Sequence, residues 1–137
     1  CPTCPPLLHF SYSCTRCVMW QATHVEPNVV VHAATHLLDR EPVPADQSLD
    51  GAPSTGAVTL GEFGGLEVGI WEMTPGVMSD VEADEVFVVL SGAATVEFAD
   101  GTAALALGAG DVVRLTAGTE TVWTVTETLR KVYLAGR

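Results

Sequence analysis

Gly69-Ile-Trp-Glu-Met-Thr-Pro-Gly-Val-Met-Ser-Asp-Val-Glu-Ala-Asp-Glu-Val-Phe-Val-Val-Leu-Ser-Gly92 is the stretch whose reading decides the fold. It reads as strand, Pro-Gly stop, acidic loop, strand and tight turn. Val68, Ile70 and Trp71 to Met73 make an apolar run of strand length. Thr74-Pro75-Gly76 ends it, because proline has no N–H to give a ladder and glycine tolerates positive φ. Val86 to Leu90 is a second run of β-branched, aromatic and aliphatic residues, the composition of a strand. Ser91-Gly92 is expected to close it with a turn. Glu85, at the mouth of that second strand, is the most telling single residue of the chain.

Outward from this stretch the same rhythm holds from Ala57 to the C-terminus. Strands are expected over Ala57–Phe63, Glu67–Met73, Glu85–Leu90, Ala93–Phe98, Ala103–Leu107, Asp111–Leu115, Thr121–Thr126 and Leu129–Ala135. Gly64-Gly65, Pro75-Gly76, Ser91-Gly92, Asp100-Gly101, Gly108-Ala-Gly110 and Ala117-Gly118 punctuate them. Asp100-Gly101 between two apolar runs is a hairpin signal. Even spacing and many glycine turns without a helical period imply an antiparallel sandwich or closed barrel.

The N-terminal part is different. Residues 1–18 hold all four cysteines, as Cys1-x-x-Cys4 and Cys14-x-x-Cys17, with His9 between them. Paired Cys-x-x-Cys knuckles can grip a tetrahedral zinc, but the nine-residue gap is short for a zinc ribbon. These residues are expected to be a leader outside the domain, disordered or not native to it, with Met19 as a candidate start. Residues 19–56 are expected to be an arm and loop: a short strand at Val29–Val31, one helical turn over His32 to His36, then an irregular stretch with Pro42, Pro44 and Pro53. The His32/His36 pair has no nearby carboxylate partner and reads as surface or packing histidines. Residues 57–137 are the barrel.

Seventeen acids oppose six bases, for a net charge of −11. Between Arg40 and Arg114 there are 13 acids and no lysine or arginine. Such a surface repels phosphate backbones and anionic lipid, so neither nucleic acid nor membrane is an expected partner. The apolar run at Leu7-Leu8 is too short for a signal peptide, and a cytoplasmic location is expected.

The barrel half resembles the cupin superfamily of small jelly rolls, the double-stranded β-helix. In that family's first motif a Gly precedes two His one residue apart, then a Glu, then a Gly seven residues on. Gly76 opens this pattern here, and Glu85 and Gly92 close it. Gly110 and Gly118 match the second motif, with Thr116 at its Pro position and Thr121 at its His position. Gly69-x-Trp71-Glu72-x-Thr74-Pro75-Gly76, Asp84-Glu85 and Trp123-x-Val125-x-Glu127-Thr128-x-Arg130-Lys131-x-Tyr133 are similar to the subgroup named for ureidoglycine aminohydrolase, and to the cupin domain of ethanolamine-utilisation proteins.

The resemblance implies a metal held by three His and one Glu, and the residues depart from it. Met78 and Asp80 stand at the first two His positions, or Ser79 and Val81 with the loop shifted by one, and Thr121 at the third. No His or Cys follows His36, so the barrel lacks the nitrogen and thiolate donors that transition metals take. No metal or other cofactor is therefore expected. Asp80, Glu82 and Asp84 would assist a hard cation at most, and the plainer reading of that cluster is a solvated acidic loop.

What remains is a pocket. Alternate residues of a strand share a face. Glu85 then keeps company with Phe87 and Val89, Thr121 with Trp123 and Val125, and Trp71 with Met73. Trp71, Met73, Met78, Asp80, Glu85, Phe87, Thr121 and Trp123 are the candidate ligand-binding residues, with Glu85 the candidate catalytic one, its pKa expected to rise in apolar surroundings. The bland reading is that the aromatics simply fill a small barrel. The expected function is a metal-independent cupin domain binding a small polar metabolite; the alternative is an enzyme of the ureidoglycine aminohydrolase-like type. An apolar arm able to add a strand to a neighbour makes a homodimer the expected assembly.

Overall fold

The computed structural model describes residues 23–136. The four cysteines, His9 and the expected leader lie outside these residues. Among the described residues there is no helix, and nine antiparallel strands carry the fold. They are β1 (Arg40–Pro42), β2 (Ser48–Asp50), β3 (Ser54–Phe63), β4 (Leu66–Met73), β5 (Gly76–Val81), β6 (Glu85–Phe98), β7 (Leu105–Leu107), β8 (Val112–Leu115) and β9 (Glu120–Ala135).

The long strands β6 and β9 are the frame. They pair with each other from Glu85↔Ala135 to Phe98↔Thr121. Each then takes a different neighbour at its two ends. β9 meets β5 through Gly76↔Val125 to Val81↔Glu120, and meets β4 through Met73↔Leu129 to Glu67↔Ala135. β6 meets β8 near Glu85↔Leu115 and β7 near Ala94↔Leu107. The sheet therefore curls into two halves, β1-β3-β4-β9-β6-β8 and β2-β5-β9-β6-β7, which share the long pair. This is the all-β jelly-roll barrel that the strand rhythm implies.

Several local expectations fail. Ser91-Gly92 is not a turn. The chain runs straight through it as one strand, with register shifts between Val89 and Ala94. These bulges bend the strand and change which residues point inward. Phe87 and Val89 are buried before the bend, Ala94 and Val96 after it. Gly92 has φ +94°, and a Cβ there would lie 2.1 Å from the Thr128 carbonyl oxygen. Opposite it, the break expected between Thr126 and Leu129 is likewise the bend of one continuous strand.

The acidic loop is half strand. Gly76–Val81 forms β5 because β9 offers it a ladder partner at every residue. The arm also differs. Val29–Val31 pairs with nothing as a strand, and residues 33–35 form a turn with His32 exposed on it. The stretch expected to be irregular instead contributes β1, β2 and the start of β3. The core sits between the two halves, with Met73, Phe87, Val96, Trp123 and Leu129 almost inaccessible to solvent.

Glu72 lies on the opposite face of β4 from Trp71 and Met73. It is 2% exposed and is ion-paired to both Arg40 and Arg130. Arg130 Nη1 also donates to the carbonyls of Ala33 (2.9 Å) and His36 (2.6 Å), which ties the arm across the sheet.

Candidate functional site

The β5 and β9 ladder sets Asp80 opposite Thr121 and Met78 opposite Trp123. The β4 and β9 ladder sets Trp71 opposite Lys131. β6 enters between them with Glu85 and Phe87. Strand alternation brings Thr121, Trp123 and Lys131 to the interior face of β9, where the buried residues are the odd-numbered ones on both sides of the bend at Glu127.

Lys131 is the centre of this arrangement. Its Nζ is 2.6 Å from Glu85 Oε1. The same nitrogen lies 4.1 Å from the ring centroid of Phe87, 4.8 Å from Trp71 and 5.0 Å from Trp123. The rings themselves are packed, with Trp71 and Trp123 centroids 5.6 Å apart and Phe87 and Trp123 5.9 Å apart. Tilted ring pairs at such distances are favourable in their own right.

A second buried carboxyl stands beside this pair. Glu82 follows β5 and is 8% exposed. Its Oε1 accepts from Trp123 Nε1 at 2.9 Å and from Thr121 Oγ1 at 3.0 Å. Burial pushes Glu82 above the usual carboxylate range, against the hydrogen bond from Trp123, which pulls the other way. Asp80 is raised too, by burial first, while the backbone N–H of Val81 lowers it. Tyr133 is pushed up by burial and then by the charge of Glu67. Gly69 leaves the room this phenol needs, since a Cβ there would lie 2.3 Å from the Tyr133 hydroxyl oxygen.

Trp71, Asp80, Glu82, Glu85, Trp123 and Lys131 line a cavity of about 270 Å3, whose rim includes Glu67 and Tyr133. Of the residues expected from sequence, Trp71, Asp80, Glu85 and Trp123 are brought together here. Phe87 floors the site beneath Lys131 without lining the cavity. Thr121 is engaged with Glu82 and faces a wider groove with Ser79 and Glu97. Met73 and Met78 are packed into the hydrophobic core instead of lining the cavity. A flexible apolar side chain is better placed among Phe87, Trp123 and Leu129 than in contact with water.

Two residues were missed. Glu82 was read with the solvated loop, yet Trp123 and Thr121 draw it inward. In sequence Lys131 stands out only as part of Arg130-Lys131-x-Tyr133, and nothing near Glu85 along the chain names a partner for it. The signal was present: Lys131 is the only lysine in the 137 residues, and it shares its parity with Thr121, Trp123 and Leu129.

The metal that the resemblance implies finds these donors already engaged. Glu85 is taken by an ammonium, Thr121 donates to Glu82, Asp80 Oδ1 accepts from the Val81 N–H at 2.8 Å, and Met78 is in the core. Among the described residues no group of three or more His, Cys, Asp or Glu is placed to hold an ion. The residues present do not fit a transition metal.

Residues 60–133 match the model of the EutQ-like cupin domain. No curated protein matches the chain. Among solved structures it is similar to the EutQ protein of Clostridium difficile, with 16% identity, a TM-score of 0.59 and coverage of 78% of this chain and 85% of that one. It is also similar to a protein of unknown function from Pseudomonas syringae pv. tomato (23% identity, TM-score 0.65, 83% of this chain and 51% of that one). A third is a cupin-2 domain containing protein from Shewanella frigidimarina (21% identity, TM-score 0.50, 59% and 79%). At these identities the likeness concerns the fold alone.

Proposed function

The chain belongs to the family of EutQ-like cupin domains, and from that premise we propose that it is a small-molecule-binding barrel that works without a transition metal. The ligand is a small polar metabolite taken at the mouth between β4, β5 and β9. The observation that carries this reading is the cavity itself: about 270 Å3, lined by Trp71 and Trp123 and by the polar side chains of Asp80, Glu82, Glu85 and Lys131. Few convergent polar groups in a concave, aromatic-lined pocket are the usual make-up of a ligand site. The volume suits a compound of only a few heavy atoms.

The test is isothermal calorimetry and thermal shift on the full chain with small amino, hydroxy and keto compounds. Binding is expected to quench Trp71 and Trp123 fluorescence and to be lost in Trp71→Ala and Asp80→Asn. Binding that survives both substitutions, or none across the set, refutes the reading.

A second reading, an enzyme of the ureidoglycine aminohydrolase-like type, is favoured by one observation. Burial raises the carboxyls of Glu82 and Asp80, the direction that favours holding a proton for general acid chemistry. Turnover lost in Glu82→Gln with ligand binding retained would select it. Homodimerisation and a cytoplasmic setting belong to the proposal, as does the lack of nucleic-acid and membrane partners that the acidic surface supports. No helix among the described residues is long and apolar enough to cross a membrane.

A further inference from the structure

Lysine is the commonplace cation of protein surfaces, and this chain has none there. Its one lysine is Lys131, which is 5% exposed. Lysines are almost never so buried unless they are paired, and burying an ammonium costs several kcal/mol before any partner is counted. The partners here are three ring faces and one carboxylate, with Nζ 4.1–5.0 Å from the centroids of Phe87, Trp71 and Trp123 and 2.6 Å from Glu85 Oε1. Ring faces around a nitrogen, closed by a carboxylate, are how proteins recognise alkylammonium ligands.

The walls of this cage do not depend on the lysine alone. Trp123 is held by its hydrogen bond to Glu82 and packs against both Trp71 and Phe87. Glu85 is the residue at which the resemblance implies a metal. The other positions of that implied site, Met78, Asp80 and Thr121, are a core thioether, a carboxyl and a hydroxyl already bonded to Glu82.

We propose that the centre of this barrel is an alkylammonium site that the chain fills with its own Lys131, so that the cation held at Glu85 is an ammonium in place of a metal ion. A divalent ion approaching Glu85 meets a positive charge 2.6 Å from the oxygen it needs. The ring faces favour a weakly hydrated organic cation over a strongly hydrated metal. This goes beyond the metabolite reading and is tested separately from it.

Lys131→Ala removes Cγ to Nζ, which are the heavy atoms of n-propylammonium. The melting temperature is expected to fall by on the order of 10 °C, because Glu85 is left without its partner. Millimolar n-propylammonium is expected to recover at least half of that loss, saturably, with a parallel change in tryptophan fluorescence. 1-Propanol at the same concentrations is expected to recover none. Equal recovery by both compounds, or by neither, overturns the proposal.

Should Lys131→Ala fail to fold, the intact chain provides a second measurement. In reductive methylation with formaldehyde and cyanoborohydride, Lys131 is expected to react many-fold more slowly in the folded chain than in the same chain unfolded by urea. Equal rates in the folded and unfolded chain overturn the proposal. So does near-stoichiometric Zn, Fe, Ni or Mn on the full chain that disappears in Glu85→Ala.

Discussion

Gly92→Ala tests whether the bend of β6 is what assembles the site. At Gly92 φ is +94°, and the Cβ of an alanine would lie 2.1 Å from Thr128 O and 2.7 Å from both Thr128 C and Leu129 Cα. All three are backbone atoms of β9, so no side-chain rotation can relieve the clash. Holding an L-residue in left-handed geometry costs ~1–2 kcal/mol. Prising apart well-packed neighbours adds ~1–3 kcal/mol. The expected loss is therefore about 2–5 kcal/mol, a large share of the roughly 5–15 kcal/mol that holds a domain folded. Urea unfolding followed by far-UV circular dichroism and tryptophan fluorescence measures it. With a slope of ~1–3 kcal/mol per molar, the midpoint is expected to fall by on the order of 1–3 M. Gly101→Ala is the control. Its φ is +86°, but no atom lies within 4 Å of an added Cβ, so only the backbone cost of ~1–2 kcal/mol is expected. If Gly92→Ala costs no more than Gly101→Ala, the close approach of β6 and β9 is not what shapes the barrel.

Three further outcomes are expected. Glu82 and Asp80 have folded pKa values raised by burial, so their contribution to stability is full below the ordinary carboxylate range and is lost as pH rises through the raised values. Glu82→Gln keeps an oxygen to accept from Trp123 and Thr121. It is expected to stabilise the protein at neutral pH and to flatten the fall of the urea midpoint from acidic to neutral pH; an unchanged slope counts against this. Arg130→Met leaves the nearly inaccessible Glu72 with only the half-exposed Arg40, at a cost of about 3–5 kcal/mol, and frees the carbonyls of Ala33 and His36. Limited proteolysis is expected to speed up within residues 33–40, and an unaltered cleavage rate would show that the arm is held otherwise. For the homodimer we propose, light scattering at micromolar concentration is expected to report twice the chain mass, and a monomer rejects it.

The strand rhythm was readable because it depends only on neighbours in sequence. Ala57–Phe63, Glu67–Met73, Ala93–Phe98 and Leu129–Ala135 all lie within observed strands, since alternation and glycine turns are local properties. The family was legible for the same reason, in Gly76, Glu85, Gly92, Gly110 and Gly118. Part of the candidate site was legible too: Trp71, Asp80, Glu85 and Trp123 line one cavity because each strand's alternation places them on its inner face.

What the sequence by itself determined was therefore an all-β barrel, its inner faces and a donor set unsuited to a transition metal. The tertiary structure alone decided the rest. Ser91-Gly92 has the composition of a turn, and only the pairing of β6 with β9 makes it a bend within one strand. The acidic run 80–85 has the composition of a solvated loop, and only the indole N–H of Trp123, 41 residues away, draws Glu82 into the interior. Glu85 and Lys131 are 46 residues apart, and which charge faces which depends on how the sheet closes. Long-range pairing carries that information, because a buried charge must find its partner across the fold and not along the chain.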